Sequence, residues 1–355
     1  MSLKEKIFSE ITEKGPITVE RYMSLCLYEK HIGYYSSSNP IGESGDFITS
    51  PEISQVFGEL LGLWFVALWR SIDLRSRFNL VELGPGTGTL MADILRVTGK
   101  MSEFSQQASV YLIETSKRLR LTQKKRLKNF PINWVCSLQH LPNQPTFTIA
   151  NEFLDALPTR QFIRINNKWK ERHIDLGPDG NLFFVNLPSS NQRELQFLYG
   201  HLPENQILEI CDHAKNIVAD LSDHIKLNGG VALFIDYGSY GGFGDTLQAI
   251  TKHSFTDPLN NPGNSDLTTH VNFEAISDTA KSKGLRTTEL ISQRDFLSAL
   301  GIRDRSRALS RNMSKSEQRK HFRAVARLID QNSMGELFKV LAITSRNANP
   351  LPVFE

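Results

Sequence analysis

Apolar residues recur at helical spacing from Leu3 to Glu13, and Gly15-Pro16 ends that pattern before ITVERYMSLCLY starts a second helix with Thr18 as its N-cap. The segment from His31 to Ser50 is rich in Gly, Ser, Asn and Pro and reads as a loop leading into an apolar helix from Ile53 to Arg70. Short apolar strands then alternate with helical stretches. A strand at Asn79 to Leu83 runs into a glycine-rich turn and a helix from Thr89 to Arg96, and a second strand follows at Ser109 to Ile113. Further strands are expected at Ile132 to Val135, Phe147 to Ala150 and Val231 to Asp236, the last preceded by a helix from Asn205 to Leu227. Between them, Gln161 to Asn186 alternates apolar and polar residues around a Gly-Pro-Asp-Gly turn, the pattern of inserted antiparallel hairpin strands. After Gly241 the chain reads as irregular to Phe273, then helical, with a closing strand at Phe338 to Ala342. The fold class is therefore α/β: a Rossmann-like parallel sheet with helices on both faces, an N-terminal helical extension and an inserted β-hairpin and helical region.

Composition narrows the picture. With 355 residues, 40% of them hydrophobic, the chain can bury a sizeable core. Its net charge of +3 does not suit an electrostatic nucleic-acid binder. The one strongly basic stretch, Arg303 to Arg327, is interspersed with Asp304 and Glu317 and carries no aromatic ladder, so it reads as a solvated helical surface or a face for an acidic partner sooner than as an RNA site. Cys26, Cys136 and Cys211 are widely spaced, which fits a reduced compartment and buried, small apolar roles. The opening MSLKEKIFSEITEKG resembles neither a signal nor a transit peptide, and no stretch is long enough to span a membrane. A bacterial cytoplasmic location is expected, or the mitochondrial matrix if the source is eukaryotic; a homo-oligomer stays open.

The sharpest chemical signal is VELGPGTGTL, where Glu82, Gly84, Gly86 and Gly88 alternate, with Pro85 between the first two glycines, after a strand and before a helix. Glycines there let the backbone turn tightly and approach a ligand, while the helix offers its N-terminal dipole to an anion. The spacing E-x-G-x-G-x-G differs from the dinucleotide fingerprint G-x-G-x-x-G and favours S-adenosylmethionine (SAM), whose methionine carboxylate would be the anion. Glu114, at the end of the next strand, stands where an acidic side chain accepts from ribose hydroxyls.

A second signal is IANEFLDALP, in which an apolar strand meets Asn151 and Glu152, with Asp155 a turn later. Polar residues beyond the carboxyl end of a strand in an open sheet can touch a substrate; equally, Asn151 can cap a short helix EFLDAL whose dipole Glu152 serves. A guanidinium acceptor would need carboxylates to hold it and orient a nitrogen, and Glu152, Asp155, Asp46 and Glu52 are available. In PIGESGDFITSPEIS, Ser50 can cap a helix with Pro51 in its first turn, and Gly42 and Gly45 beside Asp46 suggest a lid over the cofactor. His253, Asp257, Asp266 and His270 contain no compact ligand pair, so no metal is expected.

Taken together these blocks resemble the MidA-like family of SAM-dependent methyltransferases, which includes a mitochondrial assembly factor for respiratory complex I. The resemblance runs through GYY at Gly33, GDFITSPEISQVFGELLG from Gly45, VELGPGTGTL from Val81, NEFLDALP from Asn151, IDYG from Ile235, DPLNNPGNSDLTTHVNF from Asp257 and MGELFKVL from Met334. It implies SAM as cofactor, held by Glu82, Gly84, Pro85, Gly86, Gly88, Glu114 and Gly45. It further implies a protein arginine N-methyltransferase acting on a complex I peripheral-arm subunit or a related protein, with Glu152, Asp46, Asn151 and Asp155 at the acceptor and Asp236 nearby. Two departures stand out: Asn272, where related sequences often carry Asp, and no acidic residue in Val135 to Leu141 for the adenine. Residues 1–75 are expected to form an extension and lid, and 76–355 the methyltransferase domain, with insertions near 160–205 and 241–330 shaping the acceptor region. The competing functions are an assembly chaperone that binds SAM without needing turnover, and a methyltransferase acting on a small molecule or RNA.

Overall fold

The computed structural model describes residues 1–37, 49–72, 74, 76–251 and 254–354. Its centre is a nine-stranded sheet. Five strands run parallel: β1 (Phe78–Leu83), β2 (Ala108–Ile113), β3 (Ile132–Val135), β4 (Thr146–Asn151) and β5 (Gly230–Ser239). A sixth, β6 (Phe338–Thr344), lies antiparallel to β5. In space the order is β6-β5-β4-β1-β2-β3, so the chain reverses its winding between β1 and β4 and leaves a crevice beyond their carboxyl ends.

The two faces of this sheet are read directly from alternation within its buried strands. Every residue of β1 is buried: Phe78 and Leu80 join one core with the helices Gln55–Ser71 and Thr89–Thr98, while Val81 and Leu83 join another with the helices Asp212–Asn228 and Phe273–Ser282. Each fully buried Val, Leu or Phe contributes about 2 kcal/mol, which is why register is strongly fixed in such strands. Close approach of the helices Gln55–Ser71 and Thr89–Thr98 depends on glycine: a Cβ at Gly62 would lie 2.6 Å from Val97 Cγ1. That contact seats the helix that follows the glycine-rich turn.

The strands expected in the sheet form, most of them one or more residues longer than the apolar runs alone indicate, and Thr18 caps its helix by accepting from Arg21 N. Several segments differ. Residues 205–211 do not begin the long helix; Ile207–Ile210 is a strand paired with Arg160–Ile165, and the helix starts at Asp212. The hairpin insert therefore belongs to a five-stranded antiparallel sheet of Ile17–Thr18, Arg160–Ile165, Lys168–Leu176, Leu182–Pro188 and Ile207–Ile210. Ile17 and Ile174 share a core there, so the N-terminal extension and the insert are stitched together. The stretch after Gly241, expected to be irregular, contains Gln248–Thr251, Ser254–Thr256 and Asp266–Thr268 in a small sheet. Finally, the helix expected from Ile53 is broken at Ser54, whose hydroxyl caps Gln55–Ser71 by accepting from Val56 N.

Among the described residues no helix is long and apolar enough to cross a membrane. Cys26 is buried, but Cys136 is exposed and Cys211 half-buried, so only the first fits the buried role expected of all three.

Candidate active site

A cavity of about 790 Å³ opens beyond the carboxyl ends of β1, β2 and β4, lined among others by Gly84, Gly86, Glu114, Glu152 and Asp155. Sequence-distant segments meet here because the sheet reverses its winding at this point.

On the β1–β2 side the carboxylates sit on local structure. Glu82, the penultimate residue of β1, is buried, its Oε2 lacks a hydrogen-bond partner, and desolvation pushes its pKa up to about 8. Glu114 follows directly after β2. Its Oε1 accepts from Ser116 N at 2.7 Å and its Oε2 from Gln123 Nε2 at 3.2 Å, yet burial still raises its pKa. Gln123 is fully buried and also donates to Gly86 O and accepts from Trp134 Nε1, so it ties the glycine turn to Glu114. Gly84, Gly86 and Gly88 all have positive φ, at 59°, 52° and 81°. At Gly84 space is as tight as conformation, since a Cβ would lie 2.5 Å from the Phe153 ring. Pro85 completes the turn by accepting through its carbonyl from Gly88 N at 2.7 Å.

The N-terminus of the following helix is occupied differently from expectation. Its hydroxyls Thr87 Oγ1 and Thr89 Oγ1 both donate to Glu52 Oε1, so a protein carboxylate lies beside that dipole. Glu52 was grouped with acceptor carboxylates from the sequence; it belongs instead to the turn. Ser50 also departs from its expected cap role: Thr49 holds the N-cap position of Ser50–Ile53, and Ser50 N donates to Glu152 Oε1 at 2.7 Å.

On the β4–β5 side the partners come from far along the chain. Asn151 ends β4 and donates to Glu152 Oε1 at 3.0 Å, leaving its own Oδ1 buried without a partner. Glu152 adopts φ 49°, a left-handed conformation that few non-glycine residues adopt and that is often found at functional sites. The short helix expected at 152–157 does not form. Residues 153–155 make a turn whose amides donate to Asp236 Oδ2 at 3.1, 2.9 and 3.3 Å, while Asp236 Oδ1 accepts from Tyr237 N. Asp236 is thus the residue that shapes the Asn151–Asp155 corner, a role its IDYG block did not disclose. Asp155 is buried with an unpartnered Oδ1, and burial together with the neighbouring Glu152 charge lifts its pKa to about 7. Burial raises the Glu152 carboxyl as well.

Asp46 and Gly45 lie outside the described residues, as do Gly42 and His253. Among the described residues no cluster of His, Cys, Asp and Glu could hold a metal ion. Sequence reasoning missed Tyr28, Tyr35 and Ser137, which also line the cavity; Ser137 and Leu138 occupy the stretch that lacks an acidic residue. The orphaned Asp155 Oδ1, together with the Glu114 and Glu152 carboxyls in the same glycine-framed cavity, suits a ligand carrying positive charge and hydroxyl donors, which fits the ammonium, sulfonium and ribose of SAM.

Comparison with known proteins agrees. Residues 60–291 match the model of a family described as S-adenosyl-L-methionine-dependent methyltransferases. The chain is 35% identical to the rat mitochondrial protein arginine methyltransferase NDUFAF7 over 94% of its own length and 82% of that protein, and 35% identical to the human one over 94% and 81%. A crystal structure of a Burkholderia thailandensis protein bound to S-adenosyl-homocysteine superposes with a TM-score of 0.84 at 28% identity, covering 99% of this chain and 93% of that one. The match to the family model spans more than half of the sequence, and the chain belongs to this family of SAM-dependent methyltransferases.

Proposed function

We propose that this chain is a protein arginine N-methyltransferase whose crevice is divided between a cofactor half at β1–β2 and an acceptor half at β4–β5. The observation that carries the proposal is the convergence of Glu114, Glu152 and Asp155 on one cavity, with Asp155 Oδ1 buried and unpartnered. Relatives named protein arginine methyltransferase support the acceptor class.

In this reading Glu114 holds the ribose hydroxyls, Glu82 serves the cationic end of the cofactor, and Gly84, Pro85, Gly86 and Gly88 let the backbone approach it; Gly45 is a further cofactor residue on the strength of its sequence block alone. What SAM supplies when bound is an electrophilic methyl group, so the protein's work is mainly positioning. Glu152 is held by Ser50 N and Asn151 Nδ2 through one oxygen, which leaves the other to meet a guanidinium. Asp155, with a pKa near 7, can accept the proton that the acceptor nitrogen releases. Asp46 is a further acceptor residue on the strength of its sequence block alone. The substrate is a subunit of respiratory complex I or a related protein, met in a bacterial cytoplasm or, in a eukaryote, the mitochondrial matrix.

The test is incubation of the purified protein with isotopically labelled methyl-SAM and a cell extract, followed by mass spectrometry of labelled peptides. Label on arginine, lost in Glu152→Gln while S-adenosyl-homocysteine binding persists, is the expected result. Label on lysine or RNA, or undiminished label in the variant, would overturn it.

A further inference from the structure

One wall of the cavity is aromatic, and the acceptor carboxylates do not account for it. Tyr28 and Tyr35 come from the second helix and the short helical turn Tyr34–Ser37, elements of the N-terminal extension, and their rings stack with centroids 5.7 Å apart at 27°. Both line the cavity together with Asp155 and Asp266. Tyr28 remains 39% exposed although its hydroxyl is anchored on Ala156 O at 2.9 Å, beside Asp155. Tyr35 donates its hydroxyl to Asp266, 3.0 Å from Oδ1 and 3.2 Å from Oδ2. Asp266 is itself buried, at 6% exposure, in a strand of the small sheet that follows Gly241.

A planar, delocalised cation stacks on aromatic faces and presents forked donors to carboxylates, whereas a lysine ammonium is a compact point charge that does neither as well. A pair of stacked tyrosine rings lining one cavity with two buried carboxylates, one of them with an unpartnered oxygen, is complementary to the first and not to the second. We infer that Tyr28, Tyr35 and Asp266 form the specificity wall of the acceptor chamber, selecting a guanidinium over an ammonium and delivering it to Asp155. This rests on the arginine methyltransferase reading and deepens it, since it assigns the choice of acceptor to the N-terminal extension and the sheet at 248–268, outside the parallel core. The hydroxyl of Tyr35 would act as a positioning group by orienting the Asp266 carboxylate; Tyr28 and Asp266 would touch the acceptor.

The experiment measures binding of N-acetyl-arginine methylamide and of N-acetyl-lysine methylamide to the full-length protein saturated with S-adenosyl-homocysteine, using calorimetry or ligand-observed NMR. The wild type should bind the arginine probe at least about tenfold more tightly than the lysine probe. Tyr28→Leu and Asp266→Asn should each weaken arginine binding by about tenfold and narrow the preference, with S-adenosyl-homocysteine affinity unchanged as the check that the variants fold. Tyr35→Phe, which keeps the ring, should lower arginine affinity less and leave stacking intact. If the wild type binds the arginine probe and Asp155→Asn abolishes that binding while Tyr28→Leu and Asp266→Asn do not change it, the specificity wall is wrong and the arginine reading survives. Failure of the wild type to bind the arginine probe, or equal binding of both probes, would overturn both.

Discussion

The two halves of the crevice are built by opposite strategies. At β1–β2, Glu114 is held by Ser116 and Gln123, two and nine residues away, and the glycines shape the backbone within a single turn. At β4–β5, Glu152 is held by Ser50, 102 residues away, and the corner at 153–155 hangs on Asp236, more than 80 residues on. The difference teaches that the proposed cofactor half is shaped mostly by short-range contacts, Glu52 at Thr87 and Thr89 being a longer-range one, whereas the proposed acceptor half depends on segments much more remote in sequence.

The largest effects should come from the point where the halves touch. Gly84→Ala brings a Cβ against Phe153 at a residue with φ 59°, so it should both strain the turn and displace the acceptor corner. We expect SAM affinity to fall by about 100-fold or more, read by calorimetry, with Gly86→Val similar. Next, Asp236→Ala leaves the amides of 153–155 buried without their acceptor and should lower stability by about 3 kcal/mol, seen as a reduced denaturant midpoint. In the acceptor half that loss should abolish transfer while the remaining folded protein still binds SAM. If cofactor affinity falls in step, the halves are not separable.

Protonation sharpens the comparison further. Folded Glu82 and Asp155 keep protons up to about 8 and about 7, whereas the unfolded chain loses them near 4. The folded state therefore binds more protons between these limits, and stability of the ligand-free protein should fall as pH rises from about 4 to about 8. Glu82→Gln should remove part of that slope and raise stability at pH 7 by up to about 2 kcal/mol in thermal or denaturant melts, while weakening SAM binding. A slope unchanged in the variant would show that Glu82 is already ionised. The smallest effect is expected for Glu114→Gln, which keeps the shape and the contact to Ser116 but loses a charged acceptor: about tenfold in SAM affinity.

The same contrast explains what was legible in the sequence. Glu82, the three glycines and Glu114 stand out in the sequence because they lie close together along the chain, at the ends of two short, largely apolar strands. Ile207–Ile210 was mistaken for helix because four residues carry too little periodicity to outvote the helix that follows, and only pairing with Arg160–Ile165 makes them a strand. The small sheet after Gly241 was hidden for the same reason: its strands are three or four residues long and rich in Thr, Ser and Asp. At Asn151–Asp155 the local sequence suits a capped helix, and tertiary donation to Asp236 overrides it. Glu52 was the most instructive misplacement, since nothing between residues 45 and 54 signals that its carboxylate reaches Thr87 and Thr89. The basic stretch is likewise only partly a free surface: Arg305 donates to the fully buried Glu59 at 2.6 Å, which fastens the helix Ile302–Ser310 to Gln55–Ser71.

The division of the crevice is tested most directly by calorimetric titration of S-adenosyl-homocysteine into the wild type, Glu114→Gln and Asp155→Asn. The account predicts saturable binding to the wild type, weakened about tenfold by Glu114→Gln and unaltered by Asp155→Asn. Equal weakening by both substitutions would contradict it, because a single undivided site would then hold the cofactor across both halves.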